Sequence, residues 1–337
     1  MAKKEIEPAT YEDWNSRFNE ALASIEGKEQ KLENVYSEVE LDLILVGSTA
    51  IEDRLQEDVK ETIEAFKETG IKVWVLTGDK VETAINIGYS CGLLNSQMTQ
   101  YVITATDTGV LKEELMRIEQ ESQATGKEGS IALIIAGGAF SRVEIDSDLR
   151  GRFLSITDHV DVVIACRVSP VQKGDIVEMI RERFPNKMTL AIGDGANDVA
   201  MIKKAHVGVG IAGREGQQAA RPSDYAIGKF KHLRPLLFVH GREAYRRVAY
   251  LVCYNFYKNF LYVVVQYLFG FYSVFSGQTL YEPWVYQLYN ISFTGAALFY
   301  WGVFDLQYDK KRLVDEPQLY RVGMEGRLFS TKVFWSW

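Results

Sequence analysis

Residues 189–202 read TLAIGDGANDVAMI. A short apolar run ends at Gly193, Asp194 and Gly195, and a second aspartate, Asp198, follows four residues after the first. An apolar run of strand length that breaks into a glycine turn and then into helix-forming residues predicts a parallel strand feeding a crossover helix. The glycines permit a tight turn and close backbone approach. Asp194 and Asp198 could then face one Mg²⁺, a hard cation that takes oxygen ligands and usually sits beside a phosphate. Asn197 would be a neutral donor to a phosphoryl oxygen. Taken alone, the same residues also suit an Asx-rich turn in which Asp198 caps the next helix.

Comparable runs occur on both sides. LILVG (43–47), KVWVLTGD (72–79), IALIIAGG (131–138), DVVIACR (161–167), MTLAIGDG (188–195) and VGVGIAG (207–213) each read as a buried strand. Amphipathic stretches of helix length at 58–69, 81–91 and 171–184 lie between them. Strands alternating with helices predict an α/β fold, a doubly wound parallel sheet. Ligands in such folds bind at the carboxyl ends of strands. Three runs end there in polar residues, at TGD (77–79), CRVSP (166–170) and GDGAND (193–198). The Thr77 hydroxyl and the amides around Gly78 and Asp79 could hold a phosphoryl group at a helix N-terminus; Thr77 or Asp79 could equally be a plain helix cap. Lys173 offers a point charge for a developing phosphoryl anion, or is simply a surface lysine. Hydroxyl, lysine and paired carboxylates, in that order, are the parts of a phosphoryl-transfer site without its nucleophile.

The chain has 337 residues, 47% hydrophobic and 25% charged, with a net charge of −7. That charge, and the absence of a basic patch interleaved with aromatics, argue against a nucleic-acid partner. Cys91, Cys166 and Cys253 lie far apart, which suits a reducing compartment rather than a disulfide scaffold. His159, His206, His232 and His240 show no metal-ligand spacing. Residues 11–40 are polar and helix-prone.

After residue 228 the character changes. Basic residues (Lys229, Lys231, Arg234, Arg242, Arg246, Arg247) lead into an apolar run at 251–275. The loop SGQTLYEP (276–283) separates it from a second run at 284–304, and Lys310, Lys311 and Arg312 follow. Each run has a membrane-spanning length of about 20 residues. Aromatic residues sit near both ends, and basic residues flank only the outer ends, which places both outer ends on the cytoplasmic side. The competing reading is a buried helical hairpin of a soluble protein. The terminal LFSTKVFWSW (328–337) reads as the start of a third apolar segment, which predicts that the sequence is a fragment.

LTGDK (76–80), CRVSPVQKGDIV (166–177) and AIGDGANDVAMI (191–202) resemble, nearly verbatim and in the same order, the signatures of the P-type ATPases. The resemblance covers essentially the whole chain. It implies a haloacid-dehalogenase-like phosphorylation domain working with Mg²⁺ and ATP. It implies that Thr77, Gly78 and Asp79 lie near phosphate and nucleotide, that Arg167, Lys173 and Asn197 contact ATP or the phosphoryl group, and that Asp194 and Asp198 surround Mg²⁺. The phosphorylated aspartate belongs to an upstream D-K-T-G-T motif, which this chain lacks. Ala136 stands where the family pattern leads one to expect aspartate.

A cation pump needs carboxylates within the membrane, and charges there are costly enough to be informative. The first run offers only Lys258 and the second none, while Asp305 falls at its cytoplasmic end. Asn255, Asn259, Gln266, Asn290, Ser292 and Thr294 complete a polar, nearly uncharged set suited to a lipid headgroup. FYKNFLY (256–262), YNISFTGAALFYWGVFD (289–305) and LILVGSTAIEDRLQ (43–56) resemble the type IV branch, the phospholipid flippases. That likeness implies that Lys258, Asn259 and Asn290 contact lipid, that lipid moves from the outer or luminal leaflet to the cytoplasmic one, and that a β-subunit can be a partner. Lys258 could instead snorkel or brace a nearby carbonyl, and Asn290 could make an interhelical hydrogen bond.

The expected organisation is the tail of a nucleotide-binding domain (1–40), a phosphorylation domain (41–228), a basic cytosolic connection (229–250), a membrane helix (251–275), an extracytoplasmic loop (276–283), a second membrane helix (284–304) and a cytosolic segment entering a third (305–337). Two other functions compete. One is a membrane-tethered phosphatase of the haloacid-dehalogenase type. The other is a non-catalytic module that binds Mg²⁺ or nucleotide and partners a complete pump.

Overall fold

The computed structural model describes residues 2–24, 28–48, 55–125, 130–213 and 217–337. It contains two compact units, Met1–Arg54 and Leu55–Trp337.

In the first unit, β1 (Ala2–Lys3), α1 (Pro8–Ala23), α2 (Lys28–Val39) and β2 (Ile44–Leu45) follow one another. The polar α1 coheres through aromatic residues at helical spacing. Trp14 stacks on Phe18 with centroids 5.3 Å apart, and Phe18 meets Tyr36 of α2 at 5.8 Å. The Trp14 indole donates to the Val35 carbonyl at 2.9 Å. The run at 43–47 is not the buried parallel strand its composition predicts. Ile44 and Leu45 pair antiparallel with Lys3 and Ala2 and are 64% and 80% exposed. Five apolar letters do not reveal whether partners exist to cover them. Residues 49–54 of the flippase-like run at 43–56 lie outside the described residues.

The second unit carries α3 (Val59–Thr69), β3 (Val73–Leu76), α4 (Val81–Ser90), β4 (Thr99–Ile103), α5 (Thr108–Thr125), β5 (Ile131–Ala136), α6 (Gly137–Ile145), α7 (Ser147–His159), β6 (Val162–Cys166), α8 (Pro170–Arg183), β7 (Leu190–Gly193), α9 (Val199–Lys204), β8 (Val207–Ile211) and β9 (Tyr225–Ile227). All described pairings in this unit are parallel. They form a four-stranded sheet of order β3-β6-β5-β4 and a three-stranded sheet of order β7-β8-β9. The central strand β5 shows why. Ile131, Leu133 and Ile135 join one apolar cluster with Phe140 and Phe153, while Ala132 and Ile134 join another with Ile63 and Leu93. Alternate side chains point to opposite faces, and both faces are dry, as a parallel sheet under helices requires.

Besides β1, two strands of this second unit escape the sequence reading. Thr99–Ile103 and Tyr225–Ile227 are short edge strands with mixed polar composition. The run at 188–195 pairs only from Leu190, because Lys187 closes a turn onto the Phe184 carbonyl and Met188 is exposed.

The chain then enters α10, Phe230–Tyr272, 43 residues and the only helix among the described residues long and apolar enough to cross a membrane. At 1.5 Å per residue it is about 65 Å long. A π turn at Leu236–Gly241 interrupts it near the base. The predicted second span at 284–304 is not one continuous helix. It consists of α11 (Pro283–Leu288), a π turn (Tyr289–Phe293) and α12 (Gly295–Phe304). The physical cause is local: Thr294 sends both its amide, at 3.0 Å, and its hydroxyl, at 2.8 Å, to the Tyr289 carbonyl. A Cβ at position 295 would come within 2.7 Å of the Asn290 carbonyl, so the tight turn needs Gly295.

Ala136 has the extended backbone of a helix cap (φ −82°, ψ 145°) but no side chain able to cap α6. Asp146, by contrast, accepts from the Asp148 and Leu149 amides at the start of α7. Ala136→Asp is therefore expected to stabilise the fold by about 1 kcal/mol, read as a raised thermal unfolding midpoint.

Candidate functional site

The TGD and CRVSP loops are laced together by backbone. The Thr77 amide donates to the Ala165 carbonyl at 2.9 Å, extending the β3–β6 ladder by one bond. Arg167 then turns to a left-handed φ of 52°, which lets its amide reach the Asp79 carbonyl at 3.0 Å while the Val168 amide reaches Thr77 at 3.1 Å. Gly137 makes this possible, since a Cβ there would lie 2.2 Å from the Arg167 carbonyl oxygen. Within TGD, the Thr77 hydroxyl donates to the Asp79 carboxylate at 2.9 Å and accepts from the Asp79 amide at 3.1 Å. Gly78 and Asp79 are exposed, as is Arg167. Beneath them, burial, then Asp79 and Glu82, push the Cys166 thiol up to about 11. At neutral pH it is protonated and no nucleophile.

Lys173 is delivered by a well-built helix start. Ser169 and Gln172 form a capping box with Pro170 at the first helical position, a combination that satisfies two orphan amide groups. The Gln172 amide nitrogen also donates to the Gly137 carbonyl at 3.2 Å and to Ser141 at 2.9 Å, fastening α8 to α6. At Gly174, α8 packs closely against Ala200 of α9. Lys173 consequently reaches across to Asp198 at 2.8 Å, both side chains being largely shielded from solvent (12% and 14% exposed). Asp198 folds back over Gly193, where a Cβ would stand 2.3 Å from its own Cβ. Leu76 of β3 packs with Ala191 of β7 and Met201 of α9, so the two strand ends carrying TGD and GDGAND are neighbours.

Asp194 and Asn197 are exposed, and among the described residues neither their side chains nor that of Arg167 takes a hydrogen bond or ion pair. They are free to meet a ligand.

In the apolar segment, Lys258 is only 8% exposed. Its ammonium donates to Asn290 at 2.9 Å and to the Thr294 hydroxyl at 3.1 Å. The Tyr289 hydroxyl donates to the Lys258 carbonyl at 3.0 Å, and Tyr254 donates to that of Thr294 at 3.2 Å. Lys258 and Asn290 thus meet at the break between α11 and α12. Asn259 does not join them; one step round the helix, it is exposed. Thr294, which sequence reasoning placed only among the polar residues of the run, is a direct partner of Lys258.

Two families match the chain: the haloacid dehalogenase-like hydrolases over residues 4–206 and the phospholipid-translocating P-type ATPase C-terminal family over residues 220–337. The chain belongs to the P-type ATPases of haloacid dehalogenase-like fold, in their type IV branch. It is 44% identical to the phospholipid-transporting ATPase DRS2 of Saccharomyces cerevisiae, with 100% of the chain and 25% of that protein covered. Identity is 39% to the probable phospholipid-transporting ATPase IM of Homo sapiens and 41% to the phospholipid-transporting ATPase ID of Mus musculus, each covering 99% of the chain and 30% of the relative. The chain thus spans between a quarter and a third of the length of these relatives.

Asp194 and Asp198 are the carboxylates that could hold a Mg²⁺ at these strand ends. No cluster of three or more His, Cys, Asp or Glu suited to a metal occurs among the described residues. Mg²⁺ typically takes only one or two protein carboxylates and completes its shell with water and phosphate. Asp194 and Asp198 supply that number. Gly137 and Gln172 were not singled out from sequence, because their roles lie in contacts between elements far apart in the chain. Gly193→Ala is expected to displace Asp198, break its 2.8 Å bond to Lys173 and cost about 1–3 kcal/mol by overpacking, measured as a lowered unfolding midpoint.

Proposed function

We propose that this chain is the phosphoryl-handling and lipid-contacting part of an ATP-driven, Mg²⁺-dependent phospholipid transporter that moves lipid from the outer or luminal leaflet to the cytoplasmic one through an aspartyl phosphate. The observation that carries this reading is the continuity of α10. One helix runs from just after β9, in the sheet that β7 opens, to a buried lysine clasped by Asn290 and Thr294. A tethered phosphatase has no use for that lysine, and a module that only binds nucleotide has no use for the connection.

The nucleophilic aspartate would come from the remaining length of the protein, on a strand docking between β3 and β7. Each of these strands pairs on one side only among the described residues. Val73 of β3 shares an apolar cluster with Leu190 and Ile192 of β7, so the two open edges lie close together. A parallel strand there would end between TGD and GDGAND, which is where a phosphoryl acceptor needs to stand. The Thr77 hydroxyl and the amides of Gly78 and Asp79 would then hold phosphoryl oxygens. Lys173, positioned by Asp198, would offset charge developing on them, a contribution that grows in a partly dry site. Mg²⁺ held by Asp194 and Asp198 supplies further neutralisation when bound. Arg167 and Asn197 extend into solvent where nucleotide would lie. On the membrane side, Lys258 attracts a headgroup phosphate, and Asn290 and Thr294 fix its ammonium until lipid arrives; Asn259 faces outward along the path. The segment 1–228 would be cytosolic.

In the full-length protein, ATP is expected to label an acid-stable, hydroxylamine-sensitive phosphoenzyme. Asp194→Ala or Asp198→Ala should abolish lipid-stimulated turnover with membrane insertion intact; unchanged turnover would remove the Mg²⁺ assignment. Lys258→Ala is expected to slow lipid-stimulated dephosphorylation by at least about tenfold, with a smaller effect on phosphorylation. If both steps match the wild type, the Lys258 bonds only brace the break between α11 and α12.

A further inference from the structure

A second set of contacts joins the same two apolar segments at their outer ends. Arg242 and Glu243 are 3% and 6% exposed at the base of α10, where charged side chains are rarely buried unless paired. Arg242 donates to Glu243 at 2.9 Å, to the Gln307 side chain at 2.8 Å and to the Leu319 carbonyl at 3.1 Å. Arg246 forks between Glu243, at 2.9 and 3.1 Å, and Asp305, at 2.6 Å, and its guanidinium lies over the Trp301 ring at 5.3 Å. Asp305 is the residue that ends α12. Bidentate and charge-assisted contacts of this kind are short, directional and sensitive to displacement.

These contacts reach back to the strand-end site. The turn Pro317–Tyr320, whose Leu319 carbonyl Arg242 holds, packs on α3: Tyr320 and Phe66 both face Phe238 of α10, at 5.4 and 5.6 Å. Arg321 donates to the Glu68 carbonyl at the end of α3 at 2.7 Å. From there α3 leads through Gly70 into β3, whose end is TGD. The two apolar segments are therefore pinned together twice. Lys258 holds the break below α12, and Arg246, twelve residues earlier on α10, holds Asp305 at the far end of α12. Twelve residues are about 18 Å of helix. With both pins closed, α12 cannot slide or rotate against α10.

We propose that Arg246 and Asp305 are positioning residues, a charged clamp that sets the register of α12 against α10 and thereby transmits the state of the phosphoryl site to the Lys258 clasp. This rests on the transporter reading above. Neither residue touches ATP or the headgroup; each acts through the position of Asn290 and Thr294. Removing the Asp305 carboxylate leaves Arg246 with Glu243 as its only carboxylate partner, and the end of α12 loses its charged tie to α10.

The test uses the full-length protein in detergent with phosphatidylserine, phosphatidylethanolamine and phosphatidylcholine as separate probes. Phosphoenzyme formation from ATP and its lipid-stimulated decay are measured side by side. For Asp305→Asn, the phosphoenzyme level is expected to stay within about twofold of wild type, while lipid-stimulated decay falls about tenfold and half-saturating lipid rises, the size of a typical coupling between sites. Arg246→Lys keeps the charge but loses the fork, and should show the same split. Asp305→Glu, which restores the carboxylate at a half-exposed position (side chain 39% exposed), should recover most of the decay rate. Loss of phosphorylation in parallel with decay in both variants, or an unchanged lipid dependence, overturns the clamp. A wild type whose decay no lipid stimulates overturns the transporter reading itself, and the clamp falls with it.

Discussion

The constraint on which the rest of the second unit depends is the burial of β5 and β6 on both faces. Side chains of these strands are inaccessible from Ile131 to Ile135 and from Val162 to Cys166, so no functional group can project from their flat surfaces. Chemistry is confined to the places where strands stop. Thr77 and Asp79 follow β3, Arg167 follows β6, and Asp194 follows β7. The four-stranded sheet also fixes the spacing of the first two of these strand ends, because β3 and β6 are parallel neighbours, about 4.8 Å apart, and their loops bond to one another through backbone. The side chains are left for ligands, while the main chain carries the architecture.

How much of this was legible from sequence follows from the range of the interactions involved. The strand ends were readable, since an apolar run, a glycine and an aspartate are adjacent letters and their order alone specifies a turn at a sheet edge. Lys173, Asp194, Asp198 and Lys258 stood out as charged residues near strand ends or within an apolar run, and the roles expected of them came from the resemblance. What was not readable was which partners meet. Ile44 and Leu45 look like core and are surface, because burial depends on covering elements. The break at Thr294 was invisible to hydropathy, which treats 284–304 as uniform. It arises from a hydroxyl and an amide sharing one carbonyl, and Thr294 thereby becomes available to Lys258. The Arg242, Glu243, Arg246 and Asp305 set looked like ordinary flanking charge, and only the return of the chain after residue 305 brings its halves together.

The same distinction explains the two uses of lysine. Lys173 and Lys258 are both held by side-chain oxygens at ordinary hydrogen-bond distances. Lys173 faces a carboxylate, which fixes it as part of a charged pair and leaves the neighbouring Asp194 as the free anion of the site. Lys258 faces a neutral amide and a hydroxyl, so its positive charge is located without being neutralised. A lysine of the first kind is already neutralised by its partner. One of the second kind remains an attractor for an anion.

The π turn at Leu236–Gly241 lies between these two regimes, where α10 leaves the sheet. A π turn accommodates one residue more than an α turn, so α10 carries a slack residue between its base and its apolar length. Helical residues follow one another by about 100°. Taking up that residue as regular α-helix would turn everything beyond it by that angle, including Arg246 and Lys258 together. The sequence there acts as a phase-setting joint. A one-residue insertion or deletion between 236 and 241 would be tolerated by the helix as such, yet it would change which face of α10 meets α12.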